Sequence, residues 1–138
     1  MSSGKSIHAG TNSFTVAIEP WLSVRDGTRA VAYYQSAFDA REVYHIEDPD
    51  GKIVSKLLVE GAGFWVADES PAHQNFSPET PGGGIRIILI VADPDAVFAR
   101  ALQAGAREVY PVSEGHGWRL GRLEDPFGHH WEIGRPLS

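Results

Sequence analysis

The sequence predicts an α+β protein built from two tandem β-α-β-β-β units. The string Ala40-Arg41-Glu42-Val43-Tyr44 returns as Ala106-Arg107-Glu108-Val109-Tyr110, 66 positions later. The surroundings repeat at the same offset: Ala30-Val31 matches Ala96-Val97, Gly51 matches Gly117, Leu57 matches Leu123 and Trp65 matches Trp131. Strand-like and helix-like periodicities also follow in the same order in both halves. Self-similarity at a fixed spacing is the mark of a duplicated folding unit.

Residues 1–13 are small and polar and read as a flexible tail. A first strand runs from Phe14 to Val24, with Pro20 marking an edge or a bulge. Asp26 is an N-cap for a helix whose stripe is Ala30, Val31, Tyr34, Ala37 and Phe38. Strands follow at Arg41 to Glu47, Lys52 to Glu60 and Phe64 to Ala67. Asp48-Pro49-Asp50-Gly51 has type I turn chemistry. The first unit thus spans 14–67, and a Pro/Gly linker covers 68–83.

The second unit, 84–138, opens with Ile85 to Val91, apolar enough to read as a strand buried on both faces. Asp93-Pro94 starts a helix with Val97, Phe98, Ala101 and Leu102 on one stripe, and Gly105 stops it. Strands follow at Glu108 to Val112 and Trp118 to Glu124. Asp125-Pro126-Phe127-Gly128 repeats the Asp-Pro-x-Gly turn, and His129 to Gly134 closes the unit. The two units are expected to form one integrated domain.

Composition narrows the function. The 138 residues carry twelve Lys plus Arg against eighteen Asp plus Glu, a net charge of −6, with no basic run. A nucleic-acid groove needs such a run, so no nucleic-acid partner is expected. The absence of cysteine excludes disulfides, thiolate metal sites and a Cys nucleophile. No apolar stretch has the length of a membrane span and the N-terminus lacks a signal-like apolar core. A cytoplasmic protein without a membrane partner is the expectation.

The two units can be laid over each other. Aligning Val24-x-Asp26 with Val91-x-Asp93 makes Glu19 the counterpart of Arg86. Aligning Trp65 with Trp131 makes Val66 the counterpart of Glu132. Strand alternation puts Arg86, Ile88 and Ile90 on one face, and His130 and Glu132 opposite Trp131 and Ile133. Apolar faces belong under the helices, so Glu19, Arg86 and Glu132 fall on the concave side of the sheets. Trp21 joins Glu19 there, and Phe64 joins Val66. These charges read as ordinary surface groups, as cavity groups neutralising one another, or as ligand contacts. The aromatics read as core filler or as the walls of a small-molecule site. His45, His116 and His129, beside turns or in hairpins, read as exposed.

The tandem units, and Glu124-Asp125-Pro126-Phe127-Gly128-His129-His130-Trp131-Glu132-Ile133 within them, resemble the vicinal oxygen chelate superfamily of glyoxalases, extradiol dioxygenases and bleomycin resistance proteins. Within it the string is most similar to the PhnB-like branch, as is Pro20-Trp21-Leu22 before a helix. The resemblance implies a cupped mixed sheet, and homodimers whose units pair across chains to complete the cups. It also implies a metal position on the first and last strands of each unit, here Glu19, Val66, Arg86 and Glu132. Only Glu132 matches the family's donors cleanly. Val66 has no ligand atom, and Arg86 is a permanent cation that repels a metal. No metal and no cofactor are therefore expected. The competing arrangement is a site of Glu19, His130 and Glu132.

The expected function is a metal-independent protein that binds a small organic ligand, of the antibiotic resistance or sequestration type. The expected ligand contacts are Glu19, Trp21, Phe64, Val66, Arg86, His130 and Glu132, with no catalytic residue assigned. Two enzymatic alternatives stay open. One is a metal-dependent glyoxalase-like or dioxygenase-like enzyme. The other is a metal-free lyase or isomerase with Glu19 or Glu132 as base and Arg86 stabilising an oxyanion.

Overall fold

A computed structural model describes residues 17–73, 76–78 and 85–138. The expected tail, the start of the expected first strand and part of the later linker lie outside the described residues. Two β-α-β-β-β units are present. The first is β1 (Trp21–Val24), α1 (Gly27–Phe38), β2 (Arg41–Glu47), β3 (Ile53–Val59) and β4 (Ala62–Asp68). The second is β5 (Arg86–Ile90), α2 (Pro94–Gln103), β6 (Arg107–Gly115), β7 (Trp118–Glu124) and β8 (His130–Pro136). Each unit forms one mixed four-stranded sheet, in the orders β1-β4-β3-β2 and β5-β8-β7-β6. The first strand pairs parallel to the last, and the other pairings are antiparallel.

Local chemistry sets the boundaries. Asp26 and Asp93 cap the two helices by accepting from Arg29 N and Ala96 N, which satisfies amides that have no partner within the helix. Pro20 ends β1 on its N-terminal side. It has no N–H to give, yet its carbonyl accepts from Trp65 N at 2.8 Å. In both Asp-Pro turns the glycine N–H returns to the aspartate carbonyl, and Gly51 and Gly128 take φ of 82° and 95°, a region that favours glycine.

One core joins the units. Ile53, Leu57 and Val59 of β3 point toward α1 and are buried, and so are Leu123 of β7 and Ile133 of β8. Phe64 of β4 and Trp131 of β8 meet edge to face with centroids 5.4 Å apart. Tyr34 of α1 lies against both. The helix-facing sides of the two sheets therefore face a shared interior, and their other sides point away from it. Among the described residues no helix or strand covers those outer sides. This corrects the reading of Ile85 to Val91 as buried on both faces. Ile87 and Leu89 pack on the core, while Ile88 and Ile90 are 56% and 59% exposed.

A polar clamp fixes the join. The Asp125 carboxylate is buried and accepts from Tyr34 OH, Trp131 Nε1, Phe127 N and His129 N. His129 Nε2 donates to the Ser23 carbonyl at 3.1 Å, tying the turn before β8 to β1. His129 is thus half-buried and bonded, where sequence suggested exposure. His45 and His116 are exposed.

Candidate functional site

The open face of the first sheet is built by strand register. Trp21 pairs with Trp65, Trp65 with Lys56, and Lys56 with Tyr44, so the four side chains form a row across the sheet. The Trp21 and Trp65 indoles stack at 5.9 Å and 21°, and Tyr44 meets Trp65 edge to face at 5.4 Å. Trp21 is 49% exposed, so an aromatic platform lies open. At its end Glu19 accepts from Trp65 Nε1 at 2.9 Å and pairs with Lys56 Nζ at 2.8 Å. Those bonds, from Lys56 first and Trp65 second, hold the Glu19 carboxyl below its ordinary pKa. Gly63 makes room for the bridge, since a Cβ there would stand 3.0 Å from both Glu19 Oε2 and Lys56 Cε.

The corresponding row on the second sheet is Ile88, Glu132, Arg122 and Tyr110. Arg86 Nε lies 3.3 Å from Glu132 Oε2. His130 stands in register with Arg86 and Glu124. It is buried, and its Nδ1 accepts from Arg122 Nε at 3.1 Å.

These rows relocate two of the expected site residues. Trp21, Arg86, His130, Glu132 and Glu19 all lie on open-face positions. Phe64 and Val66 do not: both point toward α1, and Val66 is 0% exposed. The structural counterpart of Glu132 is Trp65, and that of Trp131 is Phe64. Between the equivalent cross-strand pairs Leu58–Gly63 and Glu124–His130, the second unit has one residue more than the first. The offset between units therefore grows from 66 on β3 and β7 to 67 on β4 and β8, and a one-residue slip moves a side chain to the other face. Glu19 also lies on a different sheet from Arg86 and Glu132, so within one chain the three do not meet.

Lys56, Trp65, Arg122 and the tyrosines Tyr44 and Tyr110 were missed. Their signal was present in the alternation of β3, where Ile53, Ser55, Leu57 and Val59 claim one face and leave Lys56 on the other. Tyr44 and Tyr110 end the doubled string itself.

With the register corrected, the four positions at which the resemblance implies metal donors are Glu19, Trp65, Arg86 and Glu132. Trp65 and Arg86 offer only N–H donors, and both carboxylates already face a cation. Among the described residues, no three His, Asp or Glu side chains gather as a metal site. This includes Glu19, His130 and Glu132. The residues present do not fit a divalent ion.

Residues 17–134 match the family model described as a glyoxalase-like domain. An uncharacterized protein of Mycobacterium bovis is 39% identical over 127 residues, which cover 88% of this chain and 84% of that protein. The crystal structure of TioX from Micromonospora sp. ML1 is similar at TM-score 0.69 and 27% identity, over 89% of this chain and 100% of that one. The fosfomycin resistance protein FosX of Mesorhizobium loti shares the fold at TM-score 0.65 and 18% identity, over 91% and 94% of the two chains. With two β-α-β-β-β units of the glyoxalase/bleomycin-resistance fold, this chain belongs to the glyoxalase-like domain family.

Proposed function

We propose that this protein binds a small organic molecule without a metal ion, in a cup completed by a second copy of the chain. The first wall is the Trp21–Trp65 platform of one copy. The opposite wall is the Arg86, Glu132 and Ile88 face of the partner copy. The observation that carries this reading is the stacked, half-exposed Trp21–Trp65 pair beside a charge pair already neutralised by Lys56. Such a surface favours a planar ligand over an ion. Exposed apolar side chains among the charges of both open faces, Trp21 and Tyr44 on the first sheet and Ile88, Ile90 and Tyr110 on the second, also favour a partner.

A role in sequestration or antibiotic resistance suits a site that holds a ligand without transforming it. The Asp125-Pro126-Phe127-Gly128-His129-x-Trp131 string supports placing the protein in the PhnB-like branch. The metal-free lyase reading has a weaker basis at Glu19. A carboxylate held by Lys56 and Trp65, with its pKa lowered, is a poor base. Native mass spectrometry of the untagged protein tests the proposal. We expect a dimer with no stoichiometric divalent metal and with capacity for one small molecule per cup. A monomer, or one divalent ion per chain, overturns it.

A further inference from the structure

We propose that Arg122 anchors a single carboxylate on an otherwise apolar ligand, and that His130 is the positioning residue that holds its guanidinium. This rests on the reading of the open faces as walls of a small-molecule cup, and it names the class of molecule that the cup takes.

The second sheet's open face carries three arginines and two carboxylates. Arg107 is matched by Glu124 at 2.5 Å, and Arg86 by Glu132 at 3.3 Å. Arg122 has no carboxylate partner among the described residues. Glu132 stands across from it in register but turns to Arg86 instead. A half-buried guanidinium without a counter-ion is poorly solvated and attracts an anion.

The geometry of Arg122 favours a fork. Its Nε donates to His130 Nδ1 at 3.1 Å, so the two terminal nitrogens are left for another partner. Two parallel N–H groups match the two oxygens of a carboxylate. Because His130 Nδ1 accepts, the neutral imidazole carries its proton on Nε2. Among the described residues that nitrogen is enclosed and has no hydrogen-bond partner, on a ring that is only 5% exposed. The ring is thus enclosed with Nδ1 toward Arg122, whose terminal nitrogens have no carboxylate partner among the described residues.

Charge decides between anions. With two of the three arginines neutralised, the face has one positive charge to spare. A monoanion balances it. A phosphate dianion would add negative charge beside Glu132 and Glu124. Ile88 and Ile90, both more than half exposed, supply an apolar surface for the rest of the ligand.

The test uses the full chain with 1-naphthoate, its neutral amide 1-naphthamide and 1-naphthyl phosphate, by isothermal titration calorimetry. We expect naphthoate to bind about tenfold more tightly than naphthamide, the scale of one charge-assisted hydrogen-bonded pair. Arg122→Gln abolishes that preference. His130→Leu weakens the preference, whereas His130→Asn, which keeps an acceptor near Nδ1, restores it. Equal binding of naphthoate and naphthamide overturns the carboxylate assignment alone. Tighter binding of naphthyl phosphate overturns the monoanion argument. A His130→Leu variant with the full preference overturns the positioning role. Binding of none of the three overturns the small-molecule cup and this inference with it.

Discussion

Trp65 reaches across to Glu19, its indole N–H 2.9 Å from the carboxylate, along the same diagonal that joins Glu132 to Arg86 at 3.3 Å. Each unit thus links its last strand to its first through a pair that satisfies itself. The resemblance to the vicinal oxygen chelate superfamily implies metal donors at those positions. Here one pair is donor to acceptor and the other is cation to anion, so no charge is left for a metal. The relationship can be reversed. The double variant Trp65→Glu with Arg86→His supplies three carboxylates and an imidazole at the four positions. We expect it to bind Mn²⁺ or Zn²⁺ at one ion per chain by calorimetry, and only as a dimer. A folded, dimeric double variant that takes no ion would disprove the assignment of these positions.

Phe64 and Trp65 are neighbours with opposite duties. Phe64 is buried against Tyr34 and Trp131, so Phe64→Ala leaves a cavity in the shared core. The expected cost is about 3–5 kcal/mol. Trp65→Ala removes a partly buried platform ring from the open face, with an expected cost of about 1–2 kcal/mol. Urea unfolding measures both. Ligand affinity should fall sharply with Trp65→Ala. If Trp65→Ala instead proves the more destabilising, β4 has the register that the uncorrected sequence overlay implied.

That overlay shows what was legible and what was not. The repeated string revealed the duplication, and helix stripes and Asp-Pro turns set most element boundaries to within a few residues. Glu19, Trp21, Arg86, His130 and Glu132 were placed on the open faces by alternation alone. Phe64 and Val66 were misplaced because a matching Trp65 and Trp131 looked like homologous positions. The extra residue in the second unit's turn was invisible to a constant offset. Lys56 and Arg122 were passed over because a basic residue in a strand reads as ordinary surface. Their importance comes from which carboxylates they do or do not meet, and pairwise geometry is not written in periodicity.

His45 offers a titration with a defined sign. It lies beside Glu42 at 2.8 Å and Glu47 at 3.8 Å. The Glu42 hydrogen bond, opposed by slight desolvation, raises the imidazole pKa above 6.5. Burial would raise Glu42, but bonds from Ser55 and His45 outweigh it and leave its carboxyl low. A raised folded-state value means that the pair stabilises the fold fully below the ordinary imidazole pKa. The stabilisation is lost as pH rises through the raised value. The group is well exposed, so the effect on stability is small. We expect proton NMR of the His45 ring to show a midpoint above 6.5, and Glu42→Gln to return it toward that value. An unchanged midpoint in Glu42→Gln would remove Glu42 as the cause.

Asp125 is where the two units depend on each other most. Its carboxylate takes the Tyr34 hydroxyl from α1 of the first unit and the Trp131 indole N–H from β8 of the second. It also takes the N–H groups of Phe127 and His129 that shape the turn. Burial first, and the Asp125 charge second, push the Tyr34 pKa well above its ordinary value, so the hydroxyl remains a donor throughout the stable pH range. Removing the acceptor with Asp125→Ala strands two enclosed side-chain donors and two turn amides. At about 1–3 kcal/mol for each buried group left unpaired, with some recovery by water at the turn, the expected loss is about 4 kcal/mol. Tyr34→Phe removes one bond to a charged acceptor and leaves the others, with an expected loss of about 2 kcal/mol. The double variant separates a clamp from two independent contacts. Because Tyr34 and Asp125 share one interaction, the double variant should be more stable than the sum of the single losses allows, by about 1–2 kcal/mol. Denaturant unfolding of the four proteins measures this coupling. Additive losses would show that the hydroxyl and the carboxylate act separately.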